Sequence, residues 1–408
     1  MFAMVRVALL IFLVSLVNAN PHLIPLSKFT SIATYAVNGV EGNAKLYLAS
    51  ADDNSVLRNI NISSGANSIT LDRLNDYNDN GTPKSFLLVG GLLITTSNSD
   101  DVTANLTGNL YITTRAQAND PNFSVYVIKD QHFIDTNAMK STVVVLNTFL
   151  GNTVDEDAPS KTSLVSGMNQ SPNTNIYFQW GIPPSNWYEF TNNTFFRNAV
   201  VLSNGSVYAQ VFFDNVEPMQ INLDAWYFTV MGPNNIKIEK KYVNNYNYTV
   251  TATKTTGLIM NSGVYKEHVV NFMPDVTKVG DSGVYYAAFH ESGDIGVYLE
   301  TATGQVSGSA RNASNAQDQW SFYVDDQAYR VKVNTTSKTP GTFFAQYFTF
   351  PGLDKPVTTT FMPTTQTTAL VTEGAGVSTT TVGTSTKGSG YFYGVQFVIG
   401  MVLGARLL

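Results

Sequence analysis

The sequence predicts an all-β protein, most simply two antiparallel β-sandwiches. Short β-branched and aromatic runs recur along it, broken by Gly, Asn and Asp, and no stretch keeps a 3.6-residue apolar period over three turns. Runs that are too short for helices but rich in turn residues fit layered sheets.

The chain opens MFAMVRVALLIFLVSLVNAN. Arg6 gives a positive start, Val7 to Val17 an apolar core, and Val17-Asn18-Ala19 a small-residue cleavage site. Residues 1–19 therefore read as a secretory signal peptide, with Asn20 the first mature residue.

Strands are expected at AKLYLAS (44–50), FLLVGGLLITT (86–96), FSVYVIKD (123–130), STVVVLN (141–147) and NIYFQW (175–180). AVVLSNGSVYAQVFF (199–213) reads as a hairpin turning at Asn204-Gly205, a pair that tolerates the positive φ angles of a type I′ turn. The polar, acidic stretch 151–173 is either a linker or a long loop before the last strand of a first unit. MNQSPNTNIYFQWGIPP (168–184) is echoed by SKTPGTFFAQYFTFPGL (337–353), as if each sandwich closed on such a strand. That places a first sandwich at 20–184 and a second at 185–352.

From Val357 to Lys387, fifteen of 31 residues are Ser or Thr. Such a segment buries too little to offset its ordering entropy, so residues 353–390 are expected to form a disordered stalk. An apolar tail, 391–408, follows. Small residues at Gly383, Ser385 and Gly388 ahead of that tail fit a GPI-attachment signal. The alternative is a single-pass helix, although Tyr391 to Ala405 is short for a span and holds Gln396.

Composition narrows function. Charged residues make up 13% and the net charge is −6, which leaves no basic stripe for nucleic acid. The absence of cysteine removes thiolate metal sites, cysteine nucleophiles and disulfides. Ten Asn-x-Ser/Thr sequons begin at Asn61, Asn80, Asn105, Asn122, Asn169, Asn192, Asn204, Asn247, Asn312 and Asn334. The signal peptide makes these N-glycosylation candidates, Asn169 least so because Pro172 follows its serine.

Three local patterns invite chemistry. Asp76-Tyr77-Asn78-Asp79-Asn80-Gly81 begins like a calcium loop, but Lys84 and Leu87 stand where ligands belong. Gly280-Asp281-Ser282-Gly283 has the look of a protease nucleophile loop, without partners for a triad. DSGVYYA (281–287) fits better as a strand entered at a tyrosine corner, Tyr285, with Ala287 in the cysteine position of an immunoglobulin strand. His268 and His290 lie in strand-like contexts without metal spacing, and Glu291 with Asp294 fits a hairpin tip. No catalytic, cofactor or metal residue is expected.

The whole plan resembles the nematode secreted and GPI-anchored CUB-like domain glycoproteins: signal peptide, β-domains, sequons throughout, Thr-rich stalk and apolar tail. NFSVYVIKD (122–130) and TFFAQYFTF (342–350) are similar to their strands, whereas many of those proteins carry cysteines and this chain has none. The resemblance implies CUB-like or jelly-roll-like sandwiches and a place in membrane rafts and innate immune or stress responses. It transfers no functional residue. The expectation is a non-enzymatic surface glycoprotein for recognition, adhesion or protection, held in the outer leaflet and meeting an extracellular protein or glycan. A lectin-like or carbohydrate-active protein using a sandwich face is the alternative.

Overall fold

The computed structural model describes residues 19–350, apart from 138–139, 152–157, 173, 188–192, 204–207, 245–246, 251–253, 263–266, 274–280, 289–294, 302–303, 311–318, 326–327 and 336–341. Among these the chain is all-β, with only short helical turns such as Asp100–Ala104 and Arg115–Asn119.

Six principal sheets form three facing pairs. Sheet A runs, in spatial order, His22–Pro25, Asn109–Ile112, Lys45–Ala49, Ser85–Leu87, and sheet B runs Tyr35–Val37, Leu92–Thr96, Ile60–Ser64, Asn67–Thr70. Sheet C comprises Thr194–Asn198, Asn175–Trp180, Ala225–Met231, Ser141–Asn147 and Phe123–Ile128. Sheet D comprises Gln131–Thr136, Asn234–Glu239, Ser163–Gln170 and Met219–Ile221. Sheet E comprises Asn215–Val216, Thr255–Ser262, Thr342–Phe350, Asp281–Ala288 and Gln319–Asp325. Sheet F comprises Asn247–Val250, His268–Phe272, Ala328–Thr335, Ile295–Thr301 and Gln305–Ala310.

The expected boundary at residue 184 falls between Asn175–Trp180 and Thr194–Asn198, which pair directly within sheet C. Three sheet pairs, rather than two, divide the strands. Most pairings are antiparallel as expected, but Phe123–Ile128 runs parallel to Ser141–Asn147, Asn247–Val250 parallel to His268–Phe272, and Asn215–Val216 parallel to Thr255–Ser262. In the first two cases an intervening strand crosses to the facing sheet: Gln131–Thr136 lies in D and Thr255–Ser262 in E. A parallel pair needs a crossover, and here a strand of the opposite layer supplies it.

Central strands of sheets A, C and E (Asn109–Ile112, Ser141–Asn147, Ala225–Met231 and most of Thr342–Phe350) are buried on both faces. In Ala225–Met231, Trp226, Phe228 and Val230 enter the core between C and D, while Ala225 and Tyr227 meet Tyr111 of sheet A. In Thr342–Phe350, Phe344 and Phe348 join that C/D core, and Phe343, Ala345 and Tyr347 face sheet F. Strands buried on both sides read as unbroken apolar runs, which is why STVVVLN is buried at every position. Sheet E thus closes the open side of the C/D sandwich, with Phe344 against Phe195 and Phe348 against Phe213.

Polar clips tie the A/B pair to the middle pair. The buried Gln117 Nε2 donates to the carbonyls of Pro183 and Pro184 at 3.3 and 3.0 Å. Asp224 accepts from Asn109 Nδ2 at 3.1 Å and from Lys161 Nζ at 2.7 Å.

Several expected elements change. FLLVGGLLITT is two strands in two sheets, because Gly90 and Gly91 take φ of 139° and 31° and turn the chain between layers. The 199–213 hairpin forms, but Ser203 faces Tyr208, two residues beyond the register a turn at Asn204-Gly205 requires. The strands flanking HESGDIG belong to sheets E and F and do not pair with each other, while residues 289–294 lie outside the described residues. The signal peptide, apart from Ala19, together with the stalk and the tail with Gly383, Ser385 and Gly388, lies outside the described residues.

Candidate functional site

Parts of the motifs that invite chemistry lie on described strands and turns. Asp281, Ser282 and Gly283 open a strand paired on both sides, Asp281 facing Asp325 and Phe350. Tyr285 lies mid-strand opposite Gln346 and Trp320, not at its entry. His290, Glu291 and Asp294 lie outside the described residues. His268 is buried with its ring edge-on to Phe343.

The calcium-like loop already holds cations. Asp76 meets Lys84 Nζ at 3.5 Å, and Lys129 Nζ donates to the backbone and side-chain oxygens of Asn75. Asn80 Oδ1 accepts from Thr82 N and Oγ1 at 3.1 and 2.6 Å, so the loop oxygens close a turn. Among the described residues no three acidic or histidine side chains gather as a metal site.

Beside that loop lies a cluster that sequence reading missed. Tyr77 Oη donates to the Val127 carbonyl at 2.5 Å and lies 3.2 Å from His132 Nε2, and Lys129 Nζ sits 5.9 Å from the Tyr77 ring centre. Burial pushes the Lys129 ammonium down to about 8 and the Tyr77 phenol up to about 12. The cluster pins a loop of the A/B pair to the edge of sheet C. Only the pairing of distant strands brings these residues together, so no local signal marked them.

The sequons form the one pattern that spans the molecule. Four of the described sequon asparagines lie on strands: Asn61 in sheet B, Asn169 in D, Asn247 and Asn334 in F. These are the outer sheets; A, C and E, whose central strands are buried on both faces, carry none among the described residues. Asn169 is exposed, while its neighbour Met168 turns toward the core. Asn334 alternates with Val331 and Val333, which fill the E/F core. Asn80, Asn105 and Asn122 sit exposed outside strands. Asn192, Asn204 and Asn312 lie outside the described residues. Period-2 alternation is the cause: a strand that turns its apolar residues to one core turns its asparagine to the other face, where Asn169 and Asn247 are exposed and Asn61 and Asn334 half-buried.

A cleft of about 270 Å³ opens beside Asn169, walled by Met168, Pro172, Phe212, Asp214 and Val216.

A family model described as transmembrane glycoprotein matches residues 41–403. The chain belongs to that family of glycoproteins. The match supports the expected glycoprotein and names no CUB-like family. No curated relative matches the chain. Among solved structures, an uncharacterized Listeria monocytogenes protein is similar at 9% identity and a TM-score of 0.18, over 66% of this chain and 27% of that one. A triple jelly roll turret protein of an archaeal virus is similar at 8% identity and a TM-score of 0.17, over 79% and 83%. The chain thus spans about a quarter of the Listeria protein, and likenesses this faint bear on nothing further.

Among the described residues no helix is long and apolar enough to cross a membrane.

Proposed function

We propose that this chain is a non-enzymatic, sugar-coated ectodomain held at a membrane, working by recognition, adhesion or protection of that surface. One observation carries the reading: among the described residues the strand-borne sequon asparagines all lie on the three outer sheets, Asn169 and Asn247 exposed and Asn61 and Asn334 half-buried, around a block whose central strands are buried on both faces. A framework of that kind presents glycans and loops without moving parts. The anchor is the tail at 391–408, through a GPI lipid or as a short span; the family description favours the span. A role in innate immunity or stress, in membrane rafts, rests on the CUB-like resemblance alone.

The test is saturable binding of the secreted ectodomain, residues 20–352, to glycan and protein arrays. Binding without turnover is expected, whereas processing of an arrayed glycan refutes the non-enzymatic assignment. A sugar-binding reading also has an observation behind it. On the outer face of sheet D, Phe133 is 60% exposed, paired with Lys237, whose Nζ lies 5.9 Å from its ring. An exposed ring among Asp135, Asn235 and Lys237 suits the apolar face of a pyranose. Loss of array binding in Phe133→Ala would favour it.

A further inference from the structure

Sheet B differs from the other outer sheets in the chemistry of its solvent face. Paired rows build that face: Ala36, Leu93, Ser63 and Ser68 in one, Thr95, Asn61 and Thr70 in the other. None is charged. Sheet D instead presents Asp135, Lys237 and Glu239, and sheet F presents Glu300, Arg330 and Lys332. Uncharged, small-residue faces with open edges invite pairing with another chain, and charges are the usual guard.

The edge of sheet B is unguarded as well. Its outermost strand, Asn67–Thr70, reads NSIT, with no lysine, no proline and no register shift against its neighbour. Leu93, on the same face, is 46% exposed. A second copy of this sheet could add edge to edge or face to face at little desolvation cost.

What covers the face is written into it. Asn61-Ile62-Ser63 is a sequon on an interior strand, and its asparagine stands in the middle of the row between Thr95 and Thr70. Ser68 Oγ donates to Asn61 Oδ1 at 2.8 Å, which fixes the amide through its oxygen and spares Nδ2, the nitrogen that glycosylation modifies. Leu93 is a diagonal neighbour of Asn61 across adjacent strands, at about 7 Å. One sugar ring reaches it. Sugar hydroxyls find Ser63, Ser68 and Thr95, and the apolar flank of the ring finds Leu93 and Ala36.

We infer that the N-linked glycan on Asn61 lies along the outer face of sheet B and keeps that sheet from pairing with a second copy of the chain. The inference rests on the glycoprotein reading above, and the two fail differently. Glycopeptide mass spectrometry of the secreted full chain should find Asn61 occupied. Bare asparagine at Asn61 with sugar on other sequons overturns this inference alone, whereas bare asparagine at all ten overturns both.

The consequence is read by sedimentation. Wild type should run as a monomer, while Asn61→Gln and Ser63→Ala should raise the dimer fraction at least tenfold at the same concentration. Adding Leu93→Lys to Asn61→Gln should restore the monomer by charging the bare face. Variants that stay monomeric, or association that Leu93→Lys leaves unchanged, overturn the inference. Removing glycans enzymatically from folded wild-type protein gives the comparison without a folding step. New hydrogen-exchange protection should then appear in Asn67–Thr70, and protection confined to other sheets overturns the inference.

Discussion

Gln346 satisfies both backbone hydrogen-bonding groups of Arg197. The Arg197 N–H donates to Gln346 Oε1 at 3.0 Å, and Gln346 Nε2 donates to the Arg197 carbonyl at 2.7 Å. Arg197 belongs to the outermost strand of sheet C, so a side chain of sheet E stands in for the missing neighbour strand. The same Nε2 donates to Thr256 Oγ1 at 2.9 Å, in a fully buried setting. Two sheet pairs are joined here by one amide.

Replacing Gln346 with Leu keeps the volume and strands the N–H and carbonyl of Arg197. Each buried orphan costs about 1–3 kcal/mol, so the variant should lose about 3 kcal/mol in chemical denaturation. An unchanged midpoint would mean that water or a shifted side chain replaces the amide.

Gly257 predicts a second weak point, this one steric. It is buried in Thr255–Ser262, and a Cβ there would collide with the phenol of Tyr347, which hydrogen-bonds Tyr248 Oη. Gly257→Ala must push Tyr347 out of the E/F core or bend the strand. Overpacking of that kind costs about 1–3 kcal/mol. Thermal melting should show the loss, and adding Tyr347→Phe, which removes the hydroxyl at the point of collision, should recover part of it.

Much of this fold was legible in local pattern. The run STVVVLN reads as a strand from its β-branched residues, and its unbroken apolar character fits the burial found at every position. The division into sheet pairs was not legible, because it depends on partners such as Ser141–Asn147 with Ala225–Met231 that lie far apart in sequence. FLLVGGLLITT misled because its apolar pattern continues through a glycine pair that moves the chain to another sheet. The sequons were visible as strings, but the place of four of them on outer sheets emerged only once the inner faces were assigned. His132 was passed over, since nothing beside it in sequence announces Tyr77.

That histidine makes stability depend on pH. His132 is half-buried, edge-on to Tyr77 and Tyr126, and burial holds its pKa below the ordinary 6.5, with the Val127 backbone and then the Asp130 charge pulling the other way. A base with a depressed folded pKa takes its proton more readily when unfolded. Its contribution is therefore full above about pH 6.5 and is lost as pH falls below that value. Burial of His22 acts in the same sense. The melting temperature should drop between pH 7.5 and pH 5, and His132→Asn should flatten the drop. An unaltered slope in the variant would remove His132 from the account.

Calcium should do nothing at the Asp76 loop. Lys84 puts positive charge 3.5 Å from Asp76, and Asn80 spends its acceptor on Thr82. Melting curves with excess calcium and with chelator should coincide. A calcium-dependent rise that Asp76→Asn abolishes would show the loop opening to accept the ion.

On the proposed reading the tail at 391–408 holds the ectodomain at the membrane, and its two forms of anchor part cleanly. A GPI signal is cut away near Gly383, Ser385 or Gly388, and the lipid that replaces it yields to phosphatidylinositol-specific phospholipase C. A span keeps Leu408 and resists the enzyme. The residues between Tyr391 and Ala405 are few for a full crossing, and Gln396 with three glycines weakens them further. On that ground release from intact cells is the expected outcome, against the weight of the family's description. Bulky replacements at Gly383, Ser385, Gly388 and Ser389 together should abolish surface attachment, whereas leucines at Gln396 and the tail glycines should create a span that the enzyme cannot free. Resistance of the wild type, with Leu408 found by mass spectrometry, would establish the short transmembrane helix instead.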